Sequence, residues 1–295
     1  MKNPFEDFEK SIEQNIPAPS ELELSENEMR QRTIDWYLAR WDKFTGSRIP
    51  DLMTQGRGKN NLWGQTAKNV ILELAAYATM TPEGKEQWAI EQIYKDFRPT
   101  KWGTEHEPEA RELYAEKTGY HVAETGFQVH PAFGYIGGSF DGEVGHYEKI
   151  DVTTIIDASS GLQKYADGPF YMTGIIEIKC PYNPLNHMNN MDLLHNGGID
   201  ASHTYYGQIQ NNIEVAGVEW CDFISYDPRQ DDKHKIVIIR VKRDQIYIDA
   251  MMDRIHKAQF AKNQYLNGES LDNALKFAEE MEIDKIIEAN INNPE

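Results

Sequence analysis

Cysteine is nearly missing from this chain. Two occur in 295 residues, Cys180 and Cys221, too few for a disulfide framework or a four-cysteine metal cluster. That scarcity fits a reducing, cytosolic setting. Long hydrophobic runs are missing too: nothing approaches the roughly 18 consecutive apolar residues of a membrane span. The opening Met1-Lys2-Asn3-Pro4-Phe5-Glu6-Asp7 lacks the apolar core of a secretory signal. Internal repeats are absent. Positive charge is in short supply, with 30 Lys and Arg against 48 Asp and Glu and a net charge of −18. Such a balance argues against broad, nonspecific binding of nucleic acid, but not against a local basic groove. Much of the deficit sits at the ends, since residues 1–30 and 261–295 each hold 8 acidic and 3 basic residues.

The remaining composition is ordinary for a globular protein, 40% hydrophobic and 26% charged. The length allows one large core with appendages. We expect an acidic N-terminal arm over 1–30, broken by Pro17-Ala18-Pro19, a main domain over 31–266, and an acidic helical tail over 267–295.

One stretch organises the rest, Gly174-Ile175-Ile176-Glu177-Ile178-Lys179-Cys180-Pro181. Its β-branched residues and closing proline predict a short buried strand. Side chains alternate along a strand, so Glu177 and Lys179 share a face while Ile176 and Ile178 pack behind. A carboxylate and an ammonium inside an apolar strand are costly unless they have a partner or a task. A magnesium site supplies both: Glu177 as a hard oxygen ligand, Lys179 to handle a water and offset phosphate charge. A surface salt bridge is the plainer alternative.

Other candidates lie along the chain. A helix from about Glu28 carries Ile34, Trp36, Tyr37 and Trp41 and delivers Arg40, followed by Thr45-Gly46-Ser47 at a turn. Arg40 and Ser47 can grip a phosphate, or serve as a helix-end arginine and an N-cap. The loop Gln55-Gly56-Arg57-Gly58-Lys59-Asn60-Asn61 offers Arg57 and Lys59 to a sugar-phosphate strand, or is a plain solvated loop. Helices are expected over about 64–79, 83–97 and 105–118, the last carrying Glu105, Glu107, Glu109 and Glu112. Strands are expected over 120–130 and 133–139, ending in Gly137-Gly138-Ser139-Phe140-Asp141-Gly142. Asp141 before glycine can project into a cleft or simply make a turn. A polar linker with His187, His195 and His203 follows Pro181. Eight-residue spacing does not put those histidines on one helix face. A helix over about 202–216 with Tyr205, Gln208 and Gln210, strands over 221–226 and 235–241, and a helix over about 244–265 complete the domain.

Taken in order, these residues make the chain resemble the lambda exonuclease type of viral recombination nuclease (YqaJ-type), within the restriction-endonuclease-like PD-(D/E)xK superfamily. The resemblance runs from about 35 to 230. It rests on Arg40 with Thr45-Gly46-Ser47, Trp102-Gly103 through Glu107-Pro108-Glu109-Ala110-Arg111, Ser139-Phe140-Asp141-Gly142, Glu177-Ile178-Lys179-Cys180-Pro181, Tyr205-Tyr206-Gly207-Gln208-Ile209-Gln210 and Tyr226-Asp227-Pro228-Arg229.

The resemblance implies an α/β fold with a restriction-endonuclease-like core, a mixed central β-sheet flanked by helices. It implies Mg2+, with Mn2+ able to substitute, held by Asp141, Glu177 and the backbone carbonyl of Ile178, and by Glu107 through a water. Lys179 would orient the attacking water, and Gln208 would support the site. Arg40, Ser47 and Ser139 resemble the family's 5′-phosphate pocket. The implied activity is 5′-to-3′ digestion of linear duplex DNA, giving 5′-phosphomonoesters and 3′ single-stranded tails for a strand-annealing protein. A homo-oligomer such as a three-membered ring, in a bacterial or phage-infected cytosol, goes with it. Alternatives are a structure-selective endonuclease, or an inactive DNA-end binding module. Two departures stand out. Phe140 occupies a position usually held by proline. The 35 residues separating Asp141 from Glu177 also exceed the usual gap, so we expect an insertion over about 143–173.

Overall fold

A computed structural model describes residues 33–57, 62–93, 98–151 and 165–292. The expected arm over 1–30, the candidate Lys59 and the middle of the expected insertion lie outside those residues. The chain opens with α1 (Ile34–Ala39), whose N-cap Thr33 accepts a hydrogen bond from the Trp36 backbone. It continues through β1 (Phe44–Thr45), a 3-10 turn over Gly46–Arg48 and α2 (Ile49–Leu52) to α3 (Gln65–Ala78), α4 (Pro82–Ile93) and α5 (Arg98–Thr118). The strands β2 (His121–Ala123), β3 (Gln128–Val129), β4 (Ile136–Gly138), β5 (Gly142–Asp151) and β6 (Tyr165–Lys179) follow. Then come α6 (Pro184–Asp192), α7 (Tyr206–Ala216), β7 (Trp220–Tyr226), β8 (Ile236–Lys242), α8 (Gln245–Leu266), α9 (Leu271–Glu280) and α10 (Ile283–Asn292).

Five strands form the central sheet in the order β2-β5-β6-β7-β8. It is mixed: β6 and β7 run parallel, and every other neighbouring pair is antiparallel. A small second sheet, β1-β4-β3, sits beside it. Strand β6 has different neighbours on its two faces. Ile175 belongs to the larger core, with Ile209, Ile213 and Phe223, while Ile176 and Ile178 belong to a separate cluster with Tyr114, Val144 and Tyr226. The expected alternation is therefore realised, and each buried isoleucine contributes about 1.5–3 kcal/mol. Helix α7 covers one face through Ile209 and Ile213, and α5 the other through Ala110 and Tyr114. No helix among the described residues is long and apolar enough to cross a membrane.

Four expectations change. The single strand expected over 120–130 is two short ones, β2 pairing with β5 in the central sheet and β3 with β4 in the small one. Helix α5 begins at Arg98 rather than near 105, because Pro99 falls in the first turn, where a missing N–H costs nothing. Pro108 lies inside that helix and leaves it one hydrogen bond short. The polar linker after Pro181 contains α6, capped by Asn183, which accepts from the Leu185 N–H. His187 is buried there on Ser225 Oγ at 2.9 Å and the His234 carbonyl at 2.7 Å, a packing role. The expected insertion continues the sheet: β5 and β6 pair from Gly142↔Ile176 to Asp151↔Tyr165, with irregularities after Val144 and Tyr147. The acidic tail forms α9 and α10, which pack on α8 through Ala278, Ile286 and Phe260.

Candidate functional site

The site grows from the ends of β4 and β6. Asp141 follows β4, and its N–H donates to the Ile176 carbonyl at 2.9 Å. That bond carries the turn into β5 and brings the aspartate beside β6. The Asp141 carboxylate then accepts from the Ile178 N–H at 2.6 Å. Residues far apart in sequence thus meet through backbone hydrogen bonds, without a flexible tether.

Glu177 is 1% exposed, and its carboxylate is held from three sides. Lys179 Nζ donates to Oε1, Gln208 Nε2 donates to Oε1 at 2.5 Å, and Asn212 Nδ2 donates to Oε2 at 3.0 Å. Gln208 and Asn212 lie one helical turn apart on α7 and face the same target. Burial raises the Glu177 carboxyl above the usual carboxylate range; Lys179 opposes this, while Asp141 and Glu107 add to it. Burial alone would lower the Lys179 ammonium, but the fields of Glu177 and Asp141 outweigh it and raise it. Lys179 Nζ also stands 5.0 Å from the centre of the Tyr205 ring, which stacks on Phe223.

A second cluster lines the same cleft of about 190 Å³. The Arg40 guanidinium lies 4.1 Å over the Trp36 ring and donates to Thr45 Oγ1 and Ser47 Oγ, each at 3.4 Å. Trp36 Nε1 donates to Ser139 Oγ at 3.0 Å. Among the described residues the polar partners of Arg40 are hydroxyls. Its pKa is pushed down to about 10 by burial, with repulsion from Arg48 adding. A cation held against hydroxyls is arranged to receive an anion.

Close backbone approach lets the two clusters touch. A Cβ on Gly46 would stand 3.0 Å from Asn212 Oδ1, and one on Gly138 would stand 2.7 Å from it. Only glycine fits the second position without displacing Asn212. Asn212 Nδ2 also lies 3.4 Å from the Ser139 carbonyl.

Asp141, Glu177, Ile178, Lys179, Gln208, Glu107, Arg40, Ser47 and Ser139 all line this cleft. Of the four glutamates noted on α5, Glu107 is half-buried at the cleft and Glu105, Glu109 and Glu112 are exposed. Arg57 is exposed and is not among the cleft residues. Asn212 was not singled out from the sequence. Its signal was available: Gln208 and Asn212 repeat at helical spacing beside buried Ile209 and Ile213. No group of three His, Cys, Asp or Glu side chains that could by itself hold a metal occurs among the described residues. The cleft instead offers two hard carboxylates, with a third whose field reaches Glu177.

The description "YqaJ-like viral recombinase domain" matches residues 35–219. No curated protein matches the chain. Among solved structures, the chain is similar to an alkaline exonuclease from Laribacter hongkongensis, with 27% identity, a TM-score of 0.57, and 80% of this chain and 95% of that one covered. The same figures hold for that enzyme in complex with dAMP. A phage-related exonuclease from Haemophilus somnus 129PT shares the fold at 16% identity and a TM-score of 0.53, over 77% of this chain and 96% of that one. The matched stretch spans more than half of the sequence and contains every residue of the cleft, so the chain belongs to the YqaJ-like viral recombinase family.

Proposed function

We propose that this protein is a magnesium-dependent 5′-to-3′ exonuclease on linear duplex DNA, leaving 3′ single-stranded tails for a strand-annealing protein. The observation that carries this reading is the shared cleft. The Asp141, Glu177 and Lys179 cluster and the Arg40, Ser47 and Ser139 cluster open into one space of about 190 Å³. The first suits phosphodiester hydrolysis, the second a terminal phosphate. The similarity to an alkaline exonuclease, also known in complex with dAMP, supports a nuclease reading.

The donor set fits magnesium, which takes one or two protein carboxylates and completes its shell with water and substrate oxygens. Asp141 and Glu177 would hold it with the Ile178 carbonyl, and Glu107 would reach it through water. When bound, such an ion polarises the scissile phosphate and favours deprotonation of a water.

The chain's own groups do the remaining work. Lys179, kept charged by Glu177 and Asp141, orients the attacking water and offsets charge gathering on the phosphate. Gln208 and Asn212 fix the Glu177 carboxylate, so its direction is set before substrate arrives. Arg40 and the hydroxyls hold the terminal phosphate and set register without reading a base.

The test is digestion of linear duplexes in magnesium by wild type and by Lys179→Ala, with covalently closed circular duplex alongside. We expect loss of linear DNA with wild type, none with the variant, and an intact circle. Wild-type turnover by Lys179→Ala would remove its role, and nicking of the circle would point to an endonuclease.

A further inference from the structure

Beyond the catalytic cleft lies a larger groove of about 790 Å³, and the two share Glu107, Ile178 and Lys179. A phosphate beside Glu177 and Lys179 therefore has a small chamber with Arg40 on one side and a long open groove on the other. A strand whose end fills the chamber must continue through the groove.

The groove is built unlike a usual DNA surface. Glu107 and Lys179 are the only acidic, lysine or arginine side chains lining it among the described residues; asparagines and tyrosines supply much of the rest. Asn186 and Asn189 are exposed on α6, three residues apart and so on one face. Tyr182 is 45% exposed, and Tyr205 forms the floor beside Lys179.

One rim is fixed in advance. Arg229 donates to the Pro181 and Tyr182 carbonyls at 3.3 and 3.0 Å. Its guanidinium is held by Asp227, with Nε at 2.7 Å from Oδ1 and Nη2 at 2.9 Å from Oδ2, and lies 4.4 Å over the Trp102 ring. Trp102 meets Tyr182 edge to face at 5.9 Å. A wall held this way loses little freedom when a ligand enters.

We propose that this groove binds the single DNA strand on the 3′ side of the scissile phosphate, through amide hydrogen bonds and base stacking on tyrosine rather than through cations. This rests on the nuclease reading above and adds the path of the substrate. Neutral contacts suit an acidic protein, because grip on the strand then depends on stacking and polar fit more than on counterion release.

The test compares linear DNA with a minimal substrate, bis(p-nitrophenyl) phosphate, which carries no nucleoside on the 3′ side of its phosphate and so leaves the groove without a strand. Two variants are used: Tyr182→Ala, and the paired Asn186→Asp with Asn189→Asp, which is nearly isosteric and repels phosphates. We expect each to lower kcat/KM on DNA by about tenfold or more, mainly through KM, with the rate on the ester unchanged. Unaltered kcat/KM on DNA for both variants would overturn the proposal. So would equal losses on DNA and ester in protein that melts like wild type. If Tyr182→Ala does not fold, the asparagine pair decides alone. Wild type cleaving neither substrate would instead overturn the nuclease reading.

Discussion

Asn212 donates its amide to Glu177 Oε2 at 3.0 Å from deep within α7. The amide orientation is fixed by acceptors on the Nδ2 side, Glu177 and the Ser139 carbonyl. Its Oδ1 is buried without a hydrogen-bond partner among the described residues. A polar group kept at that cost is better explained by the carboxylate it orients than by packing. Asn212→Ala should lower kcat by about tenfold and stability by about 1–3 kcal/mol, since a buried carboxylate oxygen loses its donor. Chemical denaturation together with single-turnover digestion measures both. Full activity would show that Gln208 and Lys179 suffice.

Arg40 leans on hydroxyls and an indole, so its removal should spare the fold and weaken recognition of a terminal phosphate. Arg40→Ala should reduce the preference for 5′-phosphorylated over 5′-hydroxyl duplex by about tenfold, in line with a charge-assisted contact of about 1.5–3 kcal/mol. The measurement is the ratio of initial rates on the two substrates. An unchanged ratio excludes Arg40 from the pocket.

Magnesium binding can be read without activity. An ion that binds only the folded chain stabilises it by about 1.4 kcal/mol at ten times its Kd. Wild type should melt higher with magnesium than with chelator, and Asp141→Asn should erase the difference. If the shift survives in Asp141→Asn, the ion sits elsewhere.

His256 sets an acid limit on the fold. Its Nδ1 lies 2.7 Å from Tyr135 Oη, and the ring meets Phe133 edge to face at 4.6 Å. Burial pushes its pKa from 6.5 down to about 4, with Asp253 opposing and His130 adding. The folded chain keeps this ring neutral while the unfolded chain protonates it near 6.5. The unfolded state therefore binds the extra proton between those values, and stability falls as pH drops through that window, by about 3 kcal/mol in all. His256→Gln should flatten that part of the profile in urea melts between neutral pH and pH 4. An unaltered slope would assign the acid sensitivity to other groups.

Much of this arrangement was legible in the sequence where a local pattern decides it. Glu177 and Lys179 stand on one face because strand alternation leaves no other choice, and α7, β7, β8 and α8 fall close to where their periodicities put them. The family likeness linked Asp141 to that strand across 35 residues. The arrangement became hidden wherever long-range pairing decided it. The stretch after Gly142 has no pattern of its own because much of its strand character comes from pairing β5 with β6. Helix α6 looked like a linker because its buried side, His187 and Asn190, is polar and satisfied by Ser225. The helical repeat with Gln208 pointed toward Asn212, but its target, Glu177, with Gly138 close on the other side, is set by long-range packing.

The pairing of Gly142 with Ile176 has a consequence for how such a chain can change length. Inserting a single residue between Gly174 and Glu177 would turn the ion pair into the oily interior behind the sheet and push isoleucines into the cleft. Folding and catalysis would fail together, leaving no soluble but idle intermediate for selection to work on. A change of length keeps the chemistry in phase only where it falls outside the strand that carries Glu177 and Lys179.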